Sequence, residues 1–508
     1  MTPLLFGLTL LACISPLLTF AYLWQLKEWR LDRLREHLRA EGRVRQVMGI
    51  LRPAVLLIYA ALLVLQGIEV TLIITTTLGF LAILTLLQFL LHRQPCPVWT
   101  SKACALVGMS LLVTIFLIFG LQISLEWLHI LPFLIPIQPL FLAAALTLFW
   151  PLDHWMKRRI MQSAANARAL YKDCTVIGIT GSAGKTTTKE LLVHLLKDHG
   201  ACGTPSHVNT ELGVAKWIQN TLKQKPVPET LIVEMGAYRR GEIKDLCSIA
   251  QPNLGIVTFV GQQHLALFKS TEALCKAKGE LIEALPEDGM AFLNADNERC
   301  MSLKESAKCP VTTIGTGGHA DIESYDVEET PTGIRFRIQE TTYEVPLHGT
   351  HNVTNAMLAI AVAQHLGLEP AEIATKLRSF SPPAHTFNAR EENGVALLDD
   401  THNASPASFA AAIAWAVNQP AEHKILLTNG LIELGTEEHR IHAELGASAA
   451  TVFERVIFLS PQRLSAFQDG YVNQIELLNK QTERVKSKSL LVCVGRMSLQ
   501  TIRQMLPL

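Results

Sequence analysis

The stretch GITGSAGKTTTKELL, residues 178–192, constrains the fold of this 508-residue chain more than any other segment. The run CTVIGI before it is β-prone, and KELLVHLLKDHG at its end has helical periodicity. A strand, a glycine-rich turn and a helix therefore follow one another, and this order points backbone N–H groups at an anion. The sequence predicts an α/β domain with a phosphate-binding loop.

The loop carries the groups that a magnesium nucleotide requires. Lys185 is expected to reach the β- and γ-phosphates, and the Thr186 hydroxyl is expected to bind Mg²⁺. The spacing GxxxxGK[ST] is not met, because Ile179 stands where its first glycine would be. The predicted nucleotide-binding residues of the loop are Gly181, Ser182, Ala183, Gly184, Lys185, Thr186 and Thr187.

The part of the chain before residue 151 is much more apolar than the rest, in a protein that is 49% hydrophobic and 18% charged. Candidate membrane helices of about 20 residues lie at 3–24, 53–70, 71–91, 103–122 and 130–150. The run 53–91 could instead be one long buried helix. Five spans would place every cluster of Lys and Arg on one side, which is typical of the cytoplasmic side. We therefore predict an α-helical, multi-pass region at 1–150 in the cytoplasmic membrane, and a cytosolic linker at 151–172.

Overall charge and cysteine spacing argue against a nucleic-acid-binding protein and against a Cys/His metal site. Lys plus Arg and Asp plus Glu both count 45, so the overall charge indicates no nucleic-acid partner. The ten cysteines form neither a CxxC pair nor a Cys/His metal spacing. They are expected to be reduced thiols or core residues, which suits a cytosolic catalytic region.

Further motifs follow the loop: VNTELG (208–213), VEMGAYRRGEI (233–243), HLALF (264–268), AKGELIEALPEDG (277–289), NADN (294–297), GTHNVTNAMLA (349–359) and LLDDTHNASP (397–406). In this order and spacing they resemble the Mur ligase family over about 175–460. The resemblance implies a central ATP-binding ligase domain at 173–382 and a Rossmann-like C-terminal ligase domain at 383–508. It also implies an amide-forming ligase of peptidoglycan or cell-envelope precursor synthesis, which phosphorylates a carboxylate with ATP and lets an amine attack the acyl phosphate.

The same resemblance implies roles for individual residues. Lys185, Lys278 and His264 would be catalytic, and Lys278 would be carbamylated to form a metal ligand. Glu234 and His264 would bind Mg²⁺ together with Thr186 and Lys278. The positions that would hold ATP outside the loop are Asn294, Asp296, Asn352, Asn355 and Asp400.

The family pattern is broken in three places. The family's linker proline, glycine and arginine align with Pro383, Ala384 and His385, so the glycine and the arginine are lost, and Arg390 is a candidate substitute for that arginine. A substrate-binding motif near the C-terminus reads VGRMS at 494–498. Apolar helices stand where the family has a UDP-binding domain.

These departures leave the substrate and the class of function open. The acceptor is expected to be lipid-linked or delivered at the membrane. The amine is expected to be D-alanyl-D-alanine or another amino acid or peptide. A catalytically reduced scaffold or nucleotide sensor is an alternative function. An ATP-driven transporter is another, although the sequence has no LSGGQ-like signature.

Overall fold

The computed structural model describes residues 2–41, 43–65, 69–122, 125–261, 265–268, 270–330, 332–383, 386–401, 404–432, 434–479 and 481–507. The chain divides into two compact units, Met1–Lys157 and Arg158–Leu508. The first unit is helical in its described part, and the second contains all the described β-strands.

The described residues of the first unit include seven α-helices, and the chain of the last helix continues into the second unit. They are α1 (Thr2–Leu26), α2 (Leu31–Glu41), α3 (Arg43–Met48), α4 (Leu51–Val64), α5 (Val70–Leu90), α6 (Ser101–Leu121) and α7 (Leu134–Ala169), with a 3-10 helix at Leu125–Phe133. The run 53–91 is thus two helices and not one, and most of the predicted linker 151–172 is helical.

Four helical segments are long and apolar enough to cross a membrane by length and composition: Pro3–Leu26, Val70–Leu90, Ser101–Leu121 and Trp127–Ala169. They correspond to four of the five predicted spans. The candidate at 53–70 falls on α4, which has 14 residues and is shorter than a membrane helix requires.

A polar network lies inside the first unit. The buried guanidinium of Arg52 donates to Gln88 Oε1 at 2.8 Å and to Thr85 Oγ1 at 3.3 Å. Ser15 donates to the same Gln88 oxygen at 2.7 Å. A buried cation needs such partners, and these contacts connect α1, α4 and α5.

The second unit begins with a seven-stranded parallel sheet in the order β2-β3-β1-β4-β5-β6-β7. Its strands are β1 (Thr175–Thr180), β2 (Ala201–Gly203), β3 (Thr230–Glu234), β4 (Leu254–Val257), β5 (Met290–Asn294), β6 (Val311–Gly315) and β7 (Ile322–Glu323). All pairings are parallel, so the carboxyl ends of the strands lie along one edge. β1 lies between β3 and β4, which places the phosphate loop in the middle of that edge.

Helices cover this sheet: α8 (Lys185–Leu196), α9 (Glu211–Thr221), α10 (Glu242–Ala250), α11 (Leu265–Phe268), α12 (Thr271–Ala284), α13 (Glu298–Met301), α14 (His351–His365) and α15 (Pro370–Leu377). An antiparallel sheet of β8 (Tyr325–Thr330), β9 (Gly333–Ile338) and β10 (Thr341–Val345) precedes α14. α14 is buried from Asn352 to Ala363 and packs against α8. Its first turn therefore lies near the phosphate loop.

The remaining six strands form a second sheet in the order β11-β12-β16-β13-β14-β15. They are β11 (Asn388–Glu392), β12 (Val395–Asp400), β13 (His423–Thr428), β14 (Arg455–Phe458), β15 (Glu476–Leu477) and β16 (Ser489–Val494), with α16 (Pro406–Val417), α17 (Glu438–Ala450), α18 (Leu464–Gln468) and α19 (Leu499–Met505). Among the described strands of this sheet, β11 alone pairs antiparallel. Two α/β layers with mainly parallel sheets confirm the predicted fold class for this region, and the predicted domain boundaries stay a prediction.

Candidate active site

Two glycines shape the phosphate loop between β1 and α8. Gly181 has φ +153° and Gly184 has φ +82°, values that are costly for a residue with a Cβ. A Cβ on Gly181 would lie 2.0 Å from Thr258 Oγ1, and one on Gly184 would lie 2.2 Å from Asn355 Oδ1. Both positions therefore require glycine, because the loop passes very close to β4 and α14.

Hydrogen bonds fix the loop to the segment that follows β4. The backbone N–H of Ser182 donates to Phe259 O at 2.6 Å, and that of Gly261 donates to Ser182 Oγ at 3.2 Å. The Thr258 hydroxyl donates to Ala183 O. The first N–H groups of α8 have no acceptor within the helix. A rigid loop followed by a helix N-terminus is suited to bind a phosphate group.

Lys185 folds back over the loop, where its Nζ donates to Gly181 O at 2.7 Å. Burial lowers the pKa of Lys185, and the nearby Glu234 carboxylate partly offsets this effect. A phosphate at the loop would offer this amine a charged acceptor, which forms a stronger hydrogen bond than a carbonyl oxygen does. Thr187 is buried in the first turn of α8.

Glu234 ends β3 beside β1 and directs its carboxylate to the start of α8. Thr186 Oγ1 donates to Glu234 Oε2 at 3.0 Å, and Asn209 Nδ2 donates to Glu234 Oε1 at 3.2 Å. The backbone N–H of Glu234 donates to Thr204 Oγ1 at 3.1 Å. Hydroxyl and carboxylate oxygens are the ligands that Mg²⁺ prefers, so Thr186 and Glu234 together fit the predicted metal.

Lys278 is buried in α12 and interacts electrostatically with the loop. Burial is the main cause that lowers the pKa of Lys278 to about 7, and the Lys185 cation lowers it further, whereas Glu242, Glu234 and Glu280 raise it. At slightly alkaline pH the side chain is therefore mostly a neutral amine. Only a neutral amine reacts with CO₂ to form a carbamate, so the environment suits the predicted modification.

His264, predicted at a second metal ion, lies outside the described residues. Within the described ranges, no group of three or more His, Cys, Asp or Glu side chains could hold a metal ion. An ion at Thr186 and Glu234 would therefore need further ligands, such as nucleotide oxygens, water or a carbamate on Lys278.

The predicted asparagines lie around the loop and hold it in place. Asn355 touches Gly184 and donates from Nδ2 to Asn352 Oδ1 at 2.8 Å, and Asn352 donates to His348 O at 2.8 Å. Asn294 Nδ2 donates to Thr258 O at 2.7 Å. The structure thus places these three asparagines in the framework of the phosphate loop.

Asp296 joins two neighbouring elements. Its carboxylate accepts the backbone N–H groups of Thr316 and Gly317 at 2.8 and 3.1 Å, and the Thr354 hydroxyl at 3.1 Å. The backbone N–H of Asp296 in turn donates to Asn294 Oδ1 at 2.9 Å. Asp296 therefore connects the end of β5 to α14.

Asp400 belongs to the second sheet, at the end of β12. Its Oδ1 accepts the backbone N–H of Phe387 at 3.3 Å, and its buried Oδ2 has no hydrogen-bond partner in the described part of the chain. Burial raises the pKa of Asp400 to about 6. Arg390 pairs with Asp399 at 3.2 Å and with Glu392 at 3.2 Å. The guanidinium of Arg390, the candidate substitute for the linker arginine, is therefore already engaged in ion pairs. Ala384 and His385 lie outside the described residues.

Sequence reasoning missed four residues that shape the site. Asn209 and Thr204 contact Glu234, Thr258 contacts the loop, and Lys189 lies 3.7 Å from Glu234 Oε2. Lys189 could have been found, because it follows Lys185 by four residues and so shares a helix face with it. Thr204 and Thr258 gave no signal, since only the pairing of strands brings them to the site.

Comparisons with known proteins agree with this geometry. Residues 179–363 match the Mur ligase middle domain. The UDP-N-acetylmuramoyl-tripeptide–D-alanyl-D-alanine ligase of Bacillus subtilis (strain 168) is 33% identical over 296 residues, which cover 56% of this chain and 63% of the relative. The Escherichia coli (strain K12) enzyme of the same name is 29% identical, with 56% and 65% covered. The chain thus spans less than two thirds of the length of these curated relatives.

Solved structures show the same fold. MurF ligase from Thermotoga maritima in complex with ADP has a TM-score of 0.60 and 27% identity, and the match covers 68% of this chain and 83% of that one. MurF from Acinetobacter baumannii has a TM-score of 0.62 and 24% identity, with 69% and 79% covered. The second likeness concerns the fold alone.

The predicted multi-pass location in the cytoplasmic membrane is wrong. The relatives are cytoplasmic ligases, named for a water-soluble UDP-linked substrate. The prediction depended on helix length and apolar composition, and a helix that is apolar on all sides can equally be buried inside a large protein. In α1, 61% of the most apolar window is buried within the protein, whereas the buried share is 28–39% in the other three segments.

The loop geometry, the sheet order and the similarity over 179–363 all indicate the same family. Its D-alanyl-D-alanine-adding members are among the relatives that match. Residues 179–363 are therefore a Mur ligase middle domain, in a chain that is similar to the D-alanyl-D-alanine-adding ligases of that family.

Proposed function

We propose that the chain is an ATP-dependent carboxylate–amine ligase of cell-envelope precursor synthesis. The observation that carries this proposal is the hydrogen bond of 3.0 Å from Thr186 Oγ1 to Glu234 Oε2. It lies beside a loop in which a Cβ on Gly181 or Gly184 would clash with its neighbours. This arrangement suits a magnesium nucleotide. The ADP bound to the Thermotoga maritima relative supports the same ligand.

The reaction would proceed in two steps. A carboxylate oxygen of the acceptor attacks the γ-phosphorus of ATP, and ADP leaves, which forms an acyl phosphate. The amine then attacks the acyl carbon, inorganic phosphate leaves, and the amine loses a proton to yield the amide. Both steps concentrate negative charge, so preorganised cations and N–H groups would supply most of the rate enhancement.

The residues of the chain have defined tasks in this scheme. The N–H groups of the loop hold the phosphates, and Lys185 exchanges Gly181 O for a phosphate oxygen. Thr186 and Glu234 would hold Mg²⁺, which would offset the charge of the transferring phosphoryl group. Lys278, as a carbamate, would add a further anionic ligand.

The substrates are the finer part of the proposal. The names of the relatives favour a UDP-N-acetylmuramoyl tripeptide as the acceptor and D-alanyl-D-alanine as the amine. The altered motif at 494–498 supports a different amine, because its arginine is displaced relative to the family. A lipid-linked acceptor with the same carboxylate is the third possibility.

A panel assay separates these substrates. Full-length protein is given ATP, Mg²⁺, one acceptor (UDP-linked or lipid-linked) and one amine, and both ADP release and product mass are measured. Lys185→Ala and Glu234→Gln should each abolish product formation, while Lys216→Ala, an exposed lysine on α9, should not.

Two outcomes would contradict the ligase. Nucleotide binding without any product across the panel would favour the scaffold or nucleotide sensor. The absence of nucleotide binding would contradict the sensor as well.

A further inference from the structure

A second lysine is buried beside the proposed metal ligand. Lys189 is 0% exposed and lies one turn after Lys185 on α8. Its Nζ donates to Thr204 O at 2.8 Å and pairs with Glu190 Oε1 at 2.9 Å. It also lies 3.7 Å from Glu234 Oε2, the oxygen that accepts the Thr186 hydroxyl. The proposed reaction gives Lys189 no task.

Thr204 fixes the distance between this ammonium group and the carboxylate. Its carbonyl accepts from Lys189, and its hydroxyl accepts the backbone N–H of Glu234. The N–H of Thr204 also donates to Ile232 O at 2.9 Å, so Thr204 is held by β3 itself. Lys189 therefore cannot move away from Glu234 without breaking buried hydrogen bonds, which is costly.

A metal ion at Glu234 would lie close to the positive charge of Lys189. Glu190 offsets only part of that charge, because its side chain is 34% exposed and is screened by water. The repulsion between a divalent ion and an ammonium group a few ångströms away is large in a buried site. The phosphates of a nucleotide would supply the negative charge that compensates for it.

We propose that Lys189 is a positioning residue that holds Glu234 in place and prevents free Mg²⁺ from binding tightly before the nucleotide arrives. The metal ion then enters the site with the nucleotide. This inference rests on the proposed function, since it takes Glu234 as a metal ligand.

Metal binding to the full-length protein tests the idea without an activity assay. Mn²⁺, as a paramagnetic probe, is titrated against nucleotide-free protein, and bound ion is measured by electron paramagnetic resonance. Lys189→Met should bind Mn²⁺ about tenfold more tightly than wild type. Lys189→Gln should behave likewise, and it guards against a folding defect because it retains a donor for Thr204 O. Lys189→Arg should keep the wild-type affinity.

A control removes a positive charge from a neighbouring helix that contacts the other end of α8. Lys376 of α15 donates to Leu195 O at the other end of α8 and pairs with Glu372 and Asp198. Lys376→Met should leave Mn²⁺ affinity unchanged. With ADP present, the difference between wild type and Lys189→Met should shrink.

The outcomes distinguish the inference from the function. Equal or weaker Mn²⁺ binding by both neutral variants, in a protein that binds Mn²⁺ with ADP, would overturn the role of Lys189 alone. If wild type bound no Mn²⁺ even with ADP, the proposed function would fail and this inference with it.

Discussion

The Gly184→Ala substitution tests whether the contact between the phosphate loop and α14 limits nucleotide binding. The new Cβ would lie 2.2 Å from Asn355 Oδ1 and 2.8 Å from Asn355 Cγ, so either the loop or the asparagine must shift. The left-handed backbone at φ +82° adds about 1 kcal/mol of strain. Overpacking of this kind costs about 1–3 kcal/mol more. We expect nucleotide affinity to fall at least about tenfold, because displaced N–H groups no longer converge on the phosphates.

Gly241 supplies the matched control. It also precedes a helix with a left-handed backbone, at φ +92°, but nothing lies within 4 Å of its added Cβ. Gly241→Ala should therefore show only the backbone strain. Both variants are titrated with ADP in a calorimeter, and their melting temperatures are compared. Equal ADP affinities for the two variants would refute the argument that the approach to Asn355 shapes the loop.

Three further predictions concern buried charges. Burial lowers the pKa of Lys278 from 10.5 to about 7. Between these two pH values the folded protein binds fewer protons than the unfolded chain, so the free energy of unfolding rises with pH in that range. In metal-free protein, Lys278→Met should raise the free energy of unfolding by about 2–5 kcal/mol near pH 6 and by less near pH 9, as urea titrations would show; a constant difference would contradict this. Burial raises the pKa of Asp400 to about 6, so stability falls as the pH rises through that value, and Asp400→Asn should add about 1–3 kcal/mol near pH 8 but little near pH 4. Arg168→Met should cost about 2–4 kcal/mol in the same titrations, because the buried guanidinium donates to Ala250 O at 3.2 Å and Cys174 O at 2.9 Å; an unchanged midpoint would refute this.

Much of the nucleotide site could be predicted from local sequence. Gly181, Gly184, Lys185 and Thr186 lie in one segment whose strand, turn and helix signals are each complete within a few residues. Glu234 was predicted only through the resemblance to a family. Nothing in the composition of TLIVE shows that β3 will pair with β1 and bring its last residue to the Thr186 hydroxyl.

For the apolar first third, in contrast to the nucleotide site, local sequence predicted the helices but not where the protein is located. Its composition determined that long helices would form, and the structure has them. It did not determine the location of the protein, because a helix apolar on every side can be buried by other helices as well as by lipid. The number of segments long enough to span a membrane is also four and not the predicted five, because α4 ends at Val64, earlier than its apolar run suggested.

The sequence by itself determined the order of elements, the glycine-rich loop and the resemblance to a family, because these depend on periodicity and on short motifs. Only the tertiary structure decided that Lys189 lies beside Glu234 and that Asn355 contacts Gly184. The same holds for the ion pair between Arg390 and Asp399. Such contacts join residues far apart in the chain. They depend on strand order and helix packing, which no local pattern specifies.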